Sequence, residues 1–235
     1  MALHPSSIAL HDLPAHTLVE AYRSRALSPV EVTHAVLAHI DRWEPHLHAT
    51  YLLRPEQALE QARASEQRWL QGAPLGALDG VPTTIKENIA THGDPVPLGT
   101  AAVTLVPAAA DAPPAARLRE AGAVLITKTT MPDYGMLSSG LSSFHALARN
   151  PWDLRTTPGG SSAGGGAAAA AGYGPLHIGT DIGGSLRLPA GWCGIFSLKP
   201  SLGRIPIDPP YTGRAAGPMT RSVADAALMM QVLSQ

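Results

Sequence analysis

Residues 163–171 read Ala-Gly-Gly-Gly-Ala-Ala-Ala-Ala-Ala, nine positions with no polar side chain and nothing larger than a methyl group. A helix of that composition has no face for water, so it is expected to lie buried, with other backbone packed close against it. The run is too short and too rich in glycine to be a membrane span. On either side of it stand Gly159-Gly160-Ser161-Ser162 and Gly179-Thr180-Asp181-Ile182-Gly183-Gly184-Ser185, which set Ser161 and Ser185 each directly after a Gly-Gly pair. Glycine suits positions of positive φ, and it lets bare N–H groups approach another atom closely. Both serines are therefore candidate nucleophiles, with the neighbouring glycine amides as candidate oxyanion donors.

The chain has 235 residues, 17 basic against 18 acidic, and no run of like charge. That balance argues against a nucleic-acid or anionic-membrane surface. The single cysteine, Cys193, excludes an internal disulfide framework and fits a reducing compartment; it reads as a small buried residue. Met1-Ala2-Leu3-His4-Pro5 lacks a basic n-region and an apolar segment behind it, so the expected location is cytoplasmic.

Two regions of one domain, residues 1–235, are expected. Residues 1–75 read as amphipathic helices. Leu18, Ala21 and Tyr22 share a face, and Ser28-Pro29-Val30-Glu31 forms a capping box with proline at N1 before Val32, Val36, Leu37 and Ile40. A third helix spans Pro55 to Leu70, closed by Gly72. Residues 78–235 read as an α/β core. Val81–Ile85 is a strand entering Lys86, Asp111-Ala112-Pro113 caps a helix ending at Gly122, and Ala123–Ile126 is a second strand. Residues 138–160 form a long polar loop, Leu176–Gly179 is a strand, and Ser222-Val223-Ala224-Asp225 opens a last capped helix. The fold class is a mixed sheet flanked by helices.

A serine hydroxyl needs a base, and no histidine here stands in a nucleophile-elbow context, since Gly-x-Ser-x-Gly is absent around both serines. Lys86 is the alternative. At the end of an apolar strand it would lose solvation, which favours the neutral amine that can accept a proton. Asp181 and Arg187 read as a structural ion pair, and Ser162 as a hydrogen-bonding neighbour. His46-x-His48 lacks a third ligand at zinc-site spacing and reads as a solvated helix end.

Gly80-Val81-Pro82-Thr83-Thr84-Ile85-Lys86-Glu87-Asn88, Asn150-Pro151-Trp152-Asp153, Thr157-Pro158-Gly159-Gly160-Ser161-Ser162, Gly179 to Arg187 and Lys199-Pro200-Ser201-x-Gly203-Arg204 together resemble the amidase signature family. The resemblance implies cofactor-free, metal-free hydrolysis of a small carboxylic amide through a seryl acyl-enzyme. In it Lys86 is the base, Ser161 the bridging serine that follows a cis peptide bond, and Ser185 the nucleophile. Ile182, Gly183, Gly184 and the Ser185 amide are the implied oxyanion donors. Thr129-Thr130-Met131-Pro132 resembles the segment lining the acyl pocket. The alternatives within the resemblance are an A-subunit-like glutaminase of an aminoacyl-tRNA amidotransferase and a catalytically inactive fragment.

Two departures from the family pattern stand out. Ala163-Gly164-Gly165-Gly166 replaces Gly-Gly-Ser-Ala, a change expected to alter helix packing alone. The family also runs to about twice this length, so this chain would end near the middle of the fold the resemblance implies. A truncated chain is therefore expected, with apolar surface left exposed for a homodimer or other association.

Overall fold

The computed structural model describes residues 8–235. Met1–Pro5, read above for a leader signal, lies outside them. The helices are α1 (Ala15–Ser24), α2 (Pro29–Leu47), α3 (Pro55–Leu70), α4 (Pro113–Glu120), α5 (Ala163–Ala171), α6 (Arg187–Cys193) and α7 (Val223–Leu233). The strands are β1 (Thr50–Tyr51), β2 (Pro82–Lys86), β3 (Val124–Thr129), β4 (Leu176–Asp181), β5 (Phe196–Ser197) and β6 (Ala215–Thr220). They form one mixed sheet in the order β1-β3-β2-β4-β6-β5. β2 pairs in parallel with both β3 and β4, whereas β1, β6 and β5 join antiparallel.

Local chemistry accounts for the helix ends. At α2 the Ser28 hydroxyl accepts from Val30 N (3.0 Å) and Glu31 returns a bond from Ser28 N (2.8 Å), with Pro29 at N1. α3 ends where expected, and Gly72 follows at φ +69°. At α7 the Ser222 hydroxyl accepts from Asp225 N (3.1 Å), which forms the expected cap, while the Asp225 carboxylate accepts from Ala15 N (2.9 Å) and joins α7 to α1. Asp111 does not cap α4. The N-cap is Ala112, and the Asp111 carboxylate accepts from His92 N (2.8 Å) and pairs with Arg119 (2.9 Å).

A continuous apolar core runs from Leu18, Tyr22, Val36 and Ile40 of the N-terminal helices through Ile85, Leu176 and Ile178 of the sheet to Met229 and Leu233 of α7. β2, β4 and β6 are buried at every position, as central strands with both faces covered must be. β6 and α6 are absent from the sequence expectation. Ala-Ala-Gly-Pro-Met-Thr shows neither alternation nor β-branched enrichment, so pairing with β4 along its length and with β5 at its end makes it a strand.

α5 is where the small-residue run acts. It packs against β2, β3, β4 and β6. Gly164 donates its N–H to Thr130 O (3.0 Å), and a Cβ there would overlap Ala49 O and stand 2.5 Å from Thr130 N. At Gly165 a Cβ would meet Met219 Sδ at 3.2 Å, and at Gly166 it would meet Pro189 Cβ at 2.8 Å. Packing at this separation brings the two residues before α5, Ser161 and Ser162, down onto the ends of β2 and β4.

Gly164→Ala is expected to lose about 1–3 kcal/mol in urea unfolding through overpacking. Gly191→Ala, in helix α6 with no atom within 4 Å of the added carbon, is expected to be neutral or stabilising. Buried His177 donates from Nε2 to Gly174 O (3.1 Å) and accepts at Nδ1 from the Thr84 hydroxyl (2.8 Å). Burial, then the charge of Arg221, holds the ring neutral with its pKa down at about 3. Below about pH 6.5 the unfolded chain takes up a proton that the folded chain refuses, at a cost of up to ~1.4 kcal/mol per pH unit. The stability advantage of wild type over His177→Gln should therefore narrow as pH falls from 6.5 to 4.

Candidate active site

The strand order creates the site. From β2 the chain crosses through α4 to β3 on one side, then through α5 to β4 on the other side of β2. The C-terminal ends of β2 and β4 thus open at a topological switch point, where crevices form in α/β sheets. Lys86 is the last residue of β2, and Thr180 and Asp181 end β4.

Lys86 is fully buried. Its Nζ donates to Ser161 Oγ (2.8 Å) and to Thr180 Oγ1 (3.1 Å), and it has no ion pair among the described residues. Burial brings its pKa down to about 7. The charges of Glu87 and Asp181 pull the value up, and that of Arg214 pushes it further down. The Thr180 hydroxyl is itself held by Asn88 Nδ2 (3.0 Å).

Ser161 follows Gly159, at φ +82°, and the peptide bond between Gly160 and Ser161 is cis. A Cβ at Gly160 would fall 2.6 Å from Leu137 O and from Ser139 N and O, so the 138–160 loop closes directly over this turn. That loop is fastened at its far end. Asn150 Nδ2 donates to Trp192 O (3.0 Å) and Trp152 Nε1 to Cys193 O (2.8 Å), which accounts structurally for the Asn-Pro-Trp-Asp block.

Ser185 ends the turn between β4 and α6. Asp181, with its side chain fully buried, organises the turn by accepting from Gly184 N (2.8 Å), Leu186 N (2.9 Å) and the Arg187 guanidinium (2.9 and 3.0 Å). Burial alone would raise the Asp181 pKa, but Arg187 and the backbone donors outweigh it and hold the carboxyl at about 2. Gly184 sits at φ +123°, open to glycine alone. Its N–H is taken by Asp181, whereas those of Gly183 and Ser185 have no acceptor among the described residues. Ser162 joins the two serine turns. Its N–H donates to Ser185 O (3.2 Å) and its hydroxyl to Thr180 O (3.2 Å).

Lys86 and Ser161 are thus in direct contact, and Ser161, Ser185, Ile182 and Gly183 line one cavity of about 580 Å³. That volume suits a small molecule. Thr180, Asn88 and Arg214 also line it and were not singled out from the sequence. Thr180 and Asn88 lie inside the recognised blocks, but a linear pattern does not say which members touch the amine. Cys193 is buried, its thiol pushed up to about 12 by burial. His48 ends α2 against Leu147 O, and the described residues hold no cluster of three or more potential metal ligands. No described helix is long and apolar enough to cross a membrane.

Comparison with known proteins identifies the family and the fold. The profile of the family described as Amidase matches residues 31–235. The chain belongs to the amidase signature family. The A subunit of the glutamyl-tRNA(Gln) amidotransferase of Chloroflexus aggregans is 41% identical over 229 residues, covering 96% of this chain and 47% of that protein. An indoleacetamide hydrolase of Bradyrhizobium diazoefficiens is 40% identical, covering 92% of this chain and 43% of its own length. Among solved structures, a bacterial aryl acylamidase superposes with a TM-score of 0.87 at 34% identity over 95% of this chain and 48% of that one. Peptide amidase from Stenotrophomonas maltophilia gives 0.89 at 30% identity over 98% and 49%. The chain spans about half the length of the curated relatives it matches.

The Asp181 network can be tested without any substrate. Asp181→Ala removes the acceptor of two turn amides, and hydrogen bonds to a charged group are worth about 1.5–3 kcal/mol. Hydrogen exchange at Gly184 and Leu186 should accelerate by about 10- to 100-fold, with little change at the centre of β4.

Proposed function

We propose that this chain carries the reacting groups of an amide hydrolase. The observation that supports the reading most is the 2.8 Å contact between Ser161 Oγ and a buried Lys86 amine whose pKa is brought to about 7. Near neutral pH a large share of this lysine is uncharged, so it can take a proton that a solvated lysine could not.

In this mechanism Ser185 Oγ attacks the amide carbon. Its proton passes to Ser161 as the Ser161 proton passes to Lys86 Nζ. The negative oxygen of the tetrahedral intermediate is met by the N–H groups of Gly183 and Ser185, joined by that of Ile182. Gly184, whose N–H is held by Asp181, keeps the turn in shape. Collapse breaks the C–N bond, and the proton returns from Lys86 through Ser161 to the leaving nitrogen. Ammonia or an amine departs, leaving the acyl group on Ser185. Water, deprotonated through the same pair, releases the acid and restores Ser185. Donors of this kind are worth about 100- to 1,000-fold in rate, and general base catalysis about 100- to 10,000-fold.

A second reading, an A-subunit-like glutaminase that supplies ammonia to a partner, is supported by the 41% identity to the A subunit of an amidotransferase. It uses the same three side chains. Glutamine turnover that depends on an added partner protein would favour it.

Labelling with a serine-reactive fluorophosphonate tests the nucleophile: wild type should be modified once, and Ser185→Ala should not. Neutral Lys86 accumulates as pH rises through about 7, so the labelling rate should climb about tenfold per pH unit below 7 and level off above it. Lys86→Ala should lose this limb together with at least about 100-fold in rate. An unchanged pH profile in Lys86→Ala would show that another group is the base.

A further inference from the structure

The walls of the 580 Å³ cavity are largely apolar, with Met131, Met136, Leu137, Ile182 and Leu188 among them, and the polar lining groups other than Arg214 are uncharged. Arg214 is the one charged side chain on the lining. Its position follows from strand register. Asp181 of β4 pairs with Ala215 of β6, so residue 214 stands opposite Ile182, the first residue of the Ser185 turn. Gly213, at φ +83°, lies beside Ile182 as well: a Cβ there would be 3.9 Å from Ile182 Cγ2.

The guanidinium is incompletely satisfied. Nη2 donates to Pro209 O, and the ring of Tyr211 lies 5.9 Å from Cζ. Nε is buried without an acceptor, and no carboxylate lies within ion-pair distance among the described residues. Asp208 is near enough to be felt as a charge but is not paired with it. A half-buried cation without a counterion is unfavourable, and a guanidinium fork matches a carboxylate in two parallel hydrogen bonds. Burial lowers the Arg214 pKa, in keeping with that deficit.

We infer that Arg214 is a substrate-recognition residue, and that the cavity selects small amides carrying a carboxylate, which the guanidinium receives while the amide lies against the Ser185 turn. The inference rests on the amide-hydrolase reading of the same cavity and names its substrate class. Arg214 contacts the anionic end of the substrate and takes no part in bond making.

The experiment compares two probes of matched shape, succinamate and its uncharged isostere 4-methylpentanamide. Binding is measured by calorimetry to the 235-residue chain carrying Ser185→Ala, so that neither probe is consumed. Succinamate should bind about 10- to 100-fold more tightly, the range expected for a hydrogen-bonded charge pair. Adding Arg214→Met should erase that preference, and adding Arg214→Lys should retain part of it. Arg214→Gln serves as a second neutral variant if circular dichroism shows that the methionine variant has lost its fold. Equal binding of the two probes, no binding of either, or a preference that survives Arg214→Met and Arg214→Gln would overturn the inference. Fluorophosphonate labelling of wild type separates the two readings. Labelled protein without a carboxylate preference removes the inference alone, and an Arg214-dependent preference in unlabelled protein sustains carboxylate recognition while removing the hydrolase reading.

Discussion

The amine of Lys86, taken out of water at the end of a central strand and given only hydroxyl partners, is the constraint on which the rest of the site depends. A buried lysine with a carboxylate in contact would stay charged and serve as a strut. This one has Ser161 and Thr180 instead, and its proton affinity falls to the point where either charge state is accessible near neutrality. Its surroundings keep the amine itself buried. β2 is buried at all five positions, and the 138–160 loop lies over the Ser161 turn.

A contrast on the neighbouring strand makes the point. Lys128 is also buried, with a pKa brought down to about 8 by burial, but its Nζ donates to Ile89 O and to Thr91 Oγ1 (2.9 Å). It faces no serine and fastens the loop that follows Lys86. Glu87 is likewise turned from the serines and lies 2.7 Å from His145. Two buried lysines with similar desolvation thus differ in what they can do, because one reaches the Ser161 hydroxyl on the cavity wall and the other only Ile89 O and the Thr91 hydroxyl, away from both serines.

Close approach supplies the second requirement. The glycines of α5 let the helix rest directly on Ala49, Thr130, Met219 and Pro189, and this sets the height of Ser161 and Ser162 above the strand ends. Asp181 supplies the third. It converts a glycine-rich turn, which would be mobile by itself, into a fixed loop by holding two of its amides and Arg187. The amides of Gly183 and Ser185 are left for another acceptor.

Much of this was legible in the chain. The α2 capping box, the span of α3, the buried α5 run and the pairing of Asp181 with Arg187 are consequences of local spacing and of the need of a buried charge for a partner. The motif order by itself identified the family and singled out Lys86, Ser161 and Ser185. Sequence could not show β6, whose residues become a strand by pairing with β4 and β5. Nor could it show that Asp111 serves His92 and Arg119 rather than a helix cap, or that the Gly184 amide is spent on Asp181. Above all it gave no reason to notice Arg214. That residue belongs to the cavity only because antiparallel register sets it opposite Ile182, and its unpaired charge exists only where the folded chain has removed water without supplying an anion. Local patterns carry covalent and short-range preferences. Which groups meet across the sheet, and what solvent they lose in doing so, is decided when the strands pair.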